Sequence, residues 1–120
     1  MNDDGRPLFV QIAEDIASAV VDGTYPEGTQ VPSSNELAAF HRINPATAAK
    51  GLNQLVTQGV LQKRRGIGMF VAEGARARLL DSRREDFASQ YIAPLVTEAR
   101  KLGIDPEQLK KMIDVWGDER

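Results

Sequence analysis

Cysteine is absent from the 120-residue chain, which excludes disulfides, iron–sulfur clusters, a thiolate nucleophile and thiolate-held zinc. A reducing compartment fits that absence without being required by it. Histidine occurs once, so His41 has no second imidazole with which to complete a metal site, and its place at a helix end reads as a surface cap. Aromatic residues are scarce, at 6%. Gly66-Ile-Gly68 lacks the third glycine that a dinucleotide loop needs. Apolar runs are as short as Ile16-Ala-Ser-Ala-Val-Val21, against the roughly 20 residues of a spanning helix, so no membrane partner is expected. The opening Met1-Asn-Asp-Asp4 is acidic and lacks the layout of a secretory signal, which makes the cytoplasm the expected location. Adjacent carboxylates at Asp3-Asp4, Glu14-Asp15 and Glu85-Asp86 fall on faces expected to be solvated. Neither an enzyme, a metal nor a cofactor is expected.

Acidic residues are missing from one stretch only, and that stretch is informative. The net charge of −2 argues against a nucleic-acid binder, yet residues 37–72 hold no acid while Arg42, Lys50, Lys63, Arg64 and Arg65 are basic. Residues 1–29, in contrast, carry six acids against Arg6 alone. An acid-free block flanked by acidic or balanced ends is a candidate phosphate-facing surface, because a nearby carboxylate would repel the polyanion.

Between Leu8 and Asp22, Phe9, Ile12, Ala13, Ile16, Ala19 and Val20 recur at spacings of three and four, which marks an amphipathic helix stopped by Gly23. Ser33-Ser-Asn-Glu36 has capping-box spacing, so a second helix is expected from about Ser34 to Phe40, burying Leu37, Ala38 and Phe40. Asn44-Pro45 is another start signal. The third helix buries Ala48, Leu52, Leu55 and Val56 and turns Ala46, Ala49, Lys50 and Asn53 the other way. Val60–Arg64 and Met69–Ala72 read as strands joined through Arg65-Gly-Ile-Gly68, a hairpin. Farther on, Leu80, Phe87, Tyr91, Leu95, Ala99 and Leu102 form a stripe across Pro94. Proline inside a helix costs about 3 kcal/mol, so that element is expected to bend near Ile92 or divide there. A last short helix from Asp105-Pro106 places Leu109, Met112, Ile113 and Trp116 on one side. Met69, Phe70 and Trp116 are expected to be core residues.

The order helix, helix, sharp turn, helix, hairpin is that of a winged helix-turn-helix. Its second helix crosses the phosphate backbone with its positive amino end, its third enters the major groove, and its wing straddles backbone or minor groove. Lys50 on the third helix and Lys63, Arg64 and Arg65 on the hairpin stand on the elements that must meet phosphate. The alternative is a winged-helix protein-interaction module without DNA binding, since tri-helical arrays also serve as docking units.

Five segments together resemble the GntR family of bacterial repressors. They are Pro7-Leu-Phe-Val-Gln-Ile12, Val31-Pro-Ser-Ser-Asn-Glu-Leu-Ala38, Asn44-Pro-Ala-Thr-Ala-Ala-Lys-Gly-Leu52, Leu55-Val-Thr-Gln-Gly59 and Arg64-Arg-Gly-Ile-Gly-Met-Phe-Val71. The likeness runs from about residue 6 to 73 without gaps. The Asn-Pro-x-Thr opening with a downstream Lys, and the short tail, resemble the YtrA subfamily, whose members are dimeric and in many cases regulate transporter operons. Many GntR proteins have arginines where this chain has Asn35, Pro45 and Ala49, so bidentate Arg–guanine readout is lost there. The resemblance leaves Asn35, Asn44, Thr47 and Lys50 for base edges, methyl contact from Ala46 or Ala49, and Arg65-Gly66 as the wing tip that enters the minor groove.

The expected protein is mainly α with a small β-hairpin (α+β): a winged helix-turn-helix over residues 1–74 and a helical dimerisation segment over 75–120. The candidate DNA-facing set is Ser33, Ser34, Asn35, Arg42, Asn44, Ala46, Thr47, Ala49, Lys50, Lys63, Arg64, Arg65, Gly66 and Gly68. Leu80, Phe87, Tyr91, Leu95 and Leu102 are the candidate dimer contacts. The expected partners are a palindromic double-stranded operator, a second copy of the chain and a small effector that releases the repressor. A pocket between tail and head would suit such an effector.

Overall fold

The computed structural model describes residues 5–118, so the Asp3-Asp4 pair and the opening read for a signal lie outside the described residues. The elements run α1 Leu8–Val21, α2 Ser34–His41, α3 Pro45–Thr57, β1 Leu61–Arg64, β2 Gly68–Val71, α4 Ala75–Phe87, a π-helical turn Ala88–Ile92, α5 Ala93–Lys101 and α6 Pro106–Asp118. Two compact units divide the chain, Met1–Asp81 and Ser82–Arg120. The first is a tri-helical head with an antiparallel hairpin, the winged helix-turn-helix arrangement.

The head is built around α3. Its inner residues Ala48, Leu52 and Leu55 are buried together with Ile12, Ile16 and Val20 of α1 and Leu37 and Ala38 of α2. α1 and α3 approach closely because Gly51 has no side chain: a Cβ there would lie 2.8 Å from the Phe9 carbonyl oxygen and 3.0 Å from Ile12 Cγ2. The capping box at α2 is complete. The Glu36 amide donates to Ser33 Oγ at 3.1 Å, and the Ser33 amide donates to Glu36 Oε1 at 3.1 Å. α2 ends at Arg42 in the left-handed conformation, φ 57° and ψ 49°, which forces the sharp turn into α3. After α1, Asp22 takes two hydrogen bonds from Thr24, and these hold its carboxyl below the usual carboxylate range.

Phe40 departs from expectation: it is 82% exposed. Successive helix residues turn by about 100°, so the face centred on Leu37 and Ala38 is shared by His41, four residues on from Leu37, and Phe40 points outward. His41 is half-buried and meets the Phe40 ring edge-on, with centroids 4.9 Å apart.

The hairpin pairs Leu61 with Val71 and Arg64 with Gly68. A third extended piece, residues 28–31, lies along the free edge of β2: the Gly28 amide donates to Val71 O at 2.8 Å, Val71 N to Thr29 O at 2.9 Å and Val31 N to Met69 O at 2.9 Å. Both edges of β2 are thereby satisfied. Met69 and Phe70 are half-buried, Met69 packing against the core.

The head's core reaches into the first turns of α4, where Ala75 and Leu79 are buried. Two arginines close helix ends below them. Arg76 Nε donates to the Val21 carbonyl at the end of α1 at 3.0 Å, and Arg78 Nη1 to the carbonyls of Gly59 at 3.1 Å and Glu73 at 2.8 Å.

In the second unit the helix neither breaks nor ends before Pro94. Phe87, Ile92 and Ala93 keep right-handed helical dihedrals, and the Ala93 amide reaches back five residues to the Ala88 carbonyl. One widened turn thus precedes the proline, and Pro94 falls in the first turn of α5, where its ring fits and its missing amide hydrogen is not needed. Among the described residues of this unit only Ala99 is buried. Trp116, expected in a core, is 71% exposed, because α6 leaves Met112, Ile113 and Trp116 uncovered and has only Leu109 half-buried. Gly51→Ala is expected to destabilise the head by about 1–3 kcal/mol through overpacking against α1, although alanine is the better helix former by about 1 kcal/mol. Denaturant unfolding followed by circular dichroism reads the sign.

Candidate nucleic-acid interface

The amino end of α2, the outer face of α3 and the hairpin border one cleft of about 350 Å³. Ser33 and Ser34 enter it from α2, Ala49 and Asn53 from α3, and Lys63, Arg64, Gly66 and Gly68 from the wing. Seven of the sequence candidates meet there, joined by Asn53. No acidic side chain lines the cleft.

The others stand around it on the same three elements. Asn35 is exposed in the first turn of α2, and Arg42 is exposed at the left-handed turn. Asn44 caps α3 by accepting the Ala46 amide on Oδ1 at 2.8 Å, which engages its oxygen and leaves its NH₂ as a donor. Ala46 is exposed and Thr47 half-buried on the first turn of α3. Lys50 is exposed, and its Nζ lies 4.1 Å from the centroid of the Phe9 ring on α1. A cation–π contact of that kind, worth about 0.5–1 kcal/mol at an exposed site, orients the ammonium toward the α1 side of α3.

Arg64 is oriented the same way: its guanidinium stacks 4.1 Å from the Phe70 ring centroid, two pairs along the ladder. Arg65, Gly66 and Ile67 form the three-residue tip, closed by the Ile67 amide donating to Arg64 O at 3.0 Å, with Gly66 at φ 77°. Arg65 is exposed at this tip.

Sequence reasoning missed Gln30. Its Nε2 donates to the Ile67 carbonyl at 3.0 Å, and its backbone bridges Phe70, so it clasps the wing tip from the edge segment. Gly68, at φ 145°, is the residue that lets it in, since a Cβ there would stand 2.4 Å from Gln30 Nε2. Its only sequence signal was a polar residue one place before Val31-Pro32, and the partner lies 37 positions away. Among the described residues no histidine, aspartate and glutamate side chains converge to hold a metal, and no helix is long and apolar enough to cross a membrane.

The sequence model of the bacterial regulatory proteins, gntR family, matches residues 8–71, from α1 to the end of the wing. The chain belongs to the GntR family. It is similar to the HTH-type transcriptional regulator YhcF of Bacillus subtilis strain 168, 27% identical over 111 residues that cover 92% of this chain and 90% of that one. It is also similar to the HTH-type transcriptional repressor YtrA of the same strain, 27% identical over 107 residues, 89% of this chain and 82% of YtrA. Of solved structures, a GntR-family regulator from Bacteroides thetaiotaomicron superposes with a TM-score of 0.78 at 29% identity, covering 93% of this chain and 97% of that one. The DNA-binding domain of AraR in complex with operator ORR3 superposes at 0.56 and 30% identity over 60% of this chain and 87% of that one.

This GntR protein is therefore a DNA-binding transcriptional regulator with a YtrA-like winged helix-turn-helix, and not an enzyme. Gln30→Ala is expected to leave the helical core intact while loosening the wing tip. Operator affinity should fall by about three- to tenfold, the worth of one hydrogen bond, and amide exchange at Arg65–Ile67 should quicken. Unchanged exchange there would show that the clasp does not hold the loop.

Proposed function

We propose that the protein is a homodimeric cytoplasmic repressor of a transporter-type operon, released from a palindromic operator by a small effector. Residues 1–74, with the α4 turns that complete their core, would read the DNA, and the helices within 75–120 would hold two copies together. The observation that carries the reading is the acid-free cleft where α2, α3 and the wing converge, with Lys63 and Arg64 on its wall and Arg65 at the tip. Repression is supported by the name of YtrA, and operator binding by the AraR complex.

In this reading the α2 amino end and the wing bases neutralise phosphates. Asn35, Asn44, Thr47 and Lys50 supply donors to base edges, the methyls of Ala46 and Ala49 meet thymine, and Arg65 follows the minor groove. Replacing Arg64 or Arg65 with Ala should each lower the slope of log affinity against log salt by roughly 0.9, the counterions released per neutralised phosphate. Titration of a palindromic duplex selected from random sequence measures it, and slopes that stay unchanged in both variants would turn the wing away from DNA.

Dimerisation is supported by what the second unit leaves uncovered. Phe87, Tyr91, Leu95 and Leu102 are exposed, Leu80 is half-buried in the head, and Phe87 and Tyr91 lie against one another, ring centroids 5.7 Å apart. A unit of about 40 residues rarely holds itself together without a metal, disulfides or a partner. Leu95→Glu, which would bury a lone carboxylate in a two-fold interface, should cost several kcal/mol of association and yield a monomer with a folded head and weakened operator binding. Sedimentation decides it: a wild-type chain that is monomeric at micromolar concentration would remove the dimer from the reading.

A further inference from the structure

The head holds a second cavity, of about 400 Å³, between α1, α2 and the turn that joins them, and no residue of the acid-free DNA-facing set lines it. Its floor is apolar: Ile16 and Leu37, both buried, with Ala19 and Pro32. Aromatic rings stand around the floor, Tyr25 from the turn and Phe40 with His41 from the end of α2. Asp15 of α1 and Glu36 of α2 supply two carboxylates, and no lysine or arginine is among the lining residues. The volume suits a small organic molecule. Apolar floor, aromatic walls and two negative groups are the combination that attracts a cation carried on an apolar body, by ring quadrupole and charge together.

We infer that this cavity binds small organic cations, of the quaternary ammonium or arylalkylammonium type. The outward turn of Phe40, which costs the head a buried phenyl ring, is then what builds the cavity wall. The site gives the effector proposed above a place and a chemical class. Glu36, which lines the cavity, is also the residue whose carboxylate holds the Ser33 amide, and Ser33 borders the DNA-facing cleft. A cation drawn to Glu36 competes with that amide at the start of α2. The regulatory consequence rests on the operator reading; the binding does not, so the two fail separately.

The test uses the full chain without DNA, titrated with benzyltrimethylammonium chloride and followed by amide chemical shifts, with benzyl alcohol as the neutral aromatic control. Saturable shifts confined to residues 15–41 are expected with the cation and not with the alcohol. Glu36→Gln keeps a residue able to complete the capping box while removing the charge, and Asp15→Asn removes the other; each should weaken the cation about fivefold, and both together more. Phe40→Ala should weaken it comparably. Absence of saturable binding, equal binding of benzyl alcohol, or an affinity untouched in the folded double carboxylate variant would each overturn the assignment.

Discussion

The outer face of α3 depends on how closely α1 lies against its inner one. Gly51 sits where the backbone of α1 passes, with the Phe9 carbonyl and Ile12 within the distance a side chain would need. Ala48, Leu52 and Leu55 on either side of it are driven into the same seam by the hydrophobic effect. Once that inner face is fixed, the 3.6-residue period leaves no freedom for the outer one: Ala46, Ala49, Lys50 and Asn53 must face away from the core. The same closeness brings the Phe9 ring under the Lys50 ammonium, so a packing constraint also sets the direction of a charge.

The wing is held by a different kind of constraint, backbone pairing on both edges of β2. β1 occupies one edge and residues 28–31 the other, and from that second edge Gln30 reaches the tip. Small size at Gly68 is what makes this reach possible. A two-stranded ribbon alone would be marginal in water. Here the added edge and the stacking of Arg64 on Phe70 present its bases on a supported frame.

Head and tail solve opposite problems. The head buries or half-buries most of its apolar residues, Phe40 and Ile67 being among the exceptions, and closes its helix ends with Ser33, Asn44, Arg76 and Arg78. The tail keeps the large residues of its apolar stripe at the surface, Phe87, Tyr91, Leu95 and Leu102, buries only Ala99 of it among the described residues, and accommodates Pro94 by a widened turn rather than a break. An uncovered stripe of this kind is the ordinary mark of an association surface.

What the sequence by itself determined was local. The Ser33–Glu36 and Asn44-Pro45 starts, the inner faces of α1 and α3 and the hairpin with its glycine tip follow from capping chemistry and periodicity, interactions between residues within a few positions of each other. The winged order of elements was legible on that basis. The tertiary structure decided what depends on residues far apart. α2 is only two turns long, too short for a stripe to show which of Phe40 and His41 falls on the buried side, and its packing against α1 and α3 settled it. Gln30 reached the wing tip, and Lys50 and Arg64 found their rings, through contacts that no local spacing encodes. Trp116 reads as core in a sequence because a large apolar ring carries the greatest gain on burial, but burial needs a surface to pack on, and only the fold could show that α6 leaves this ring uncovered.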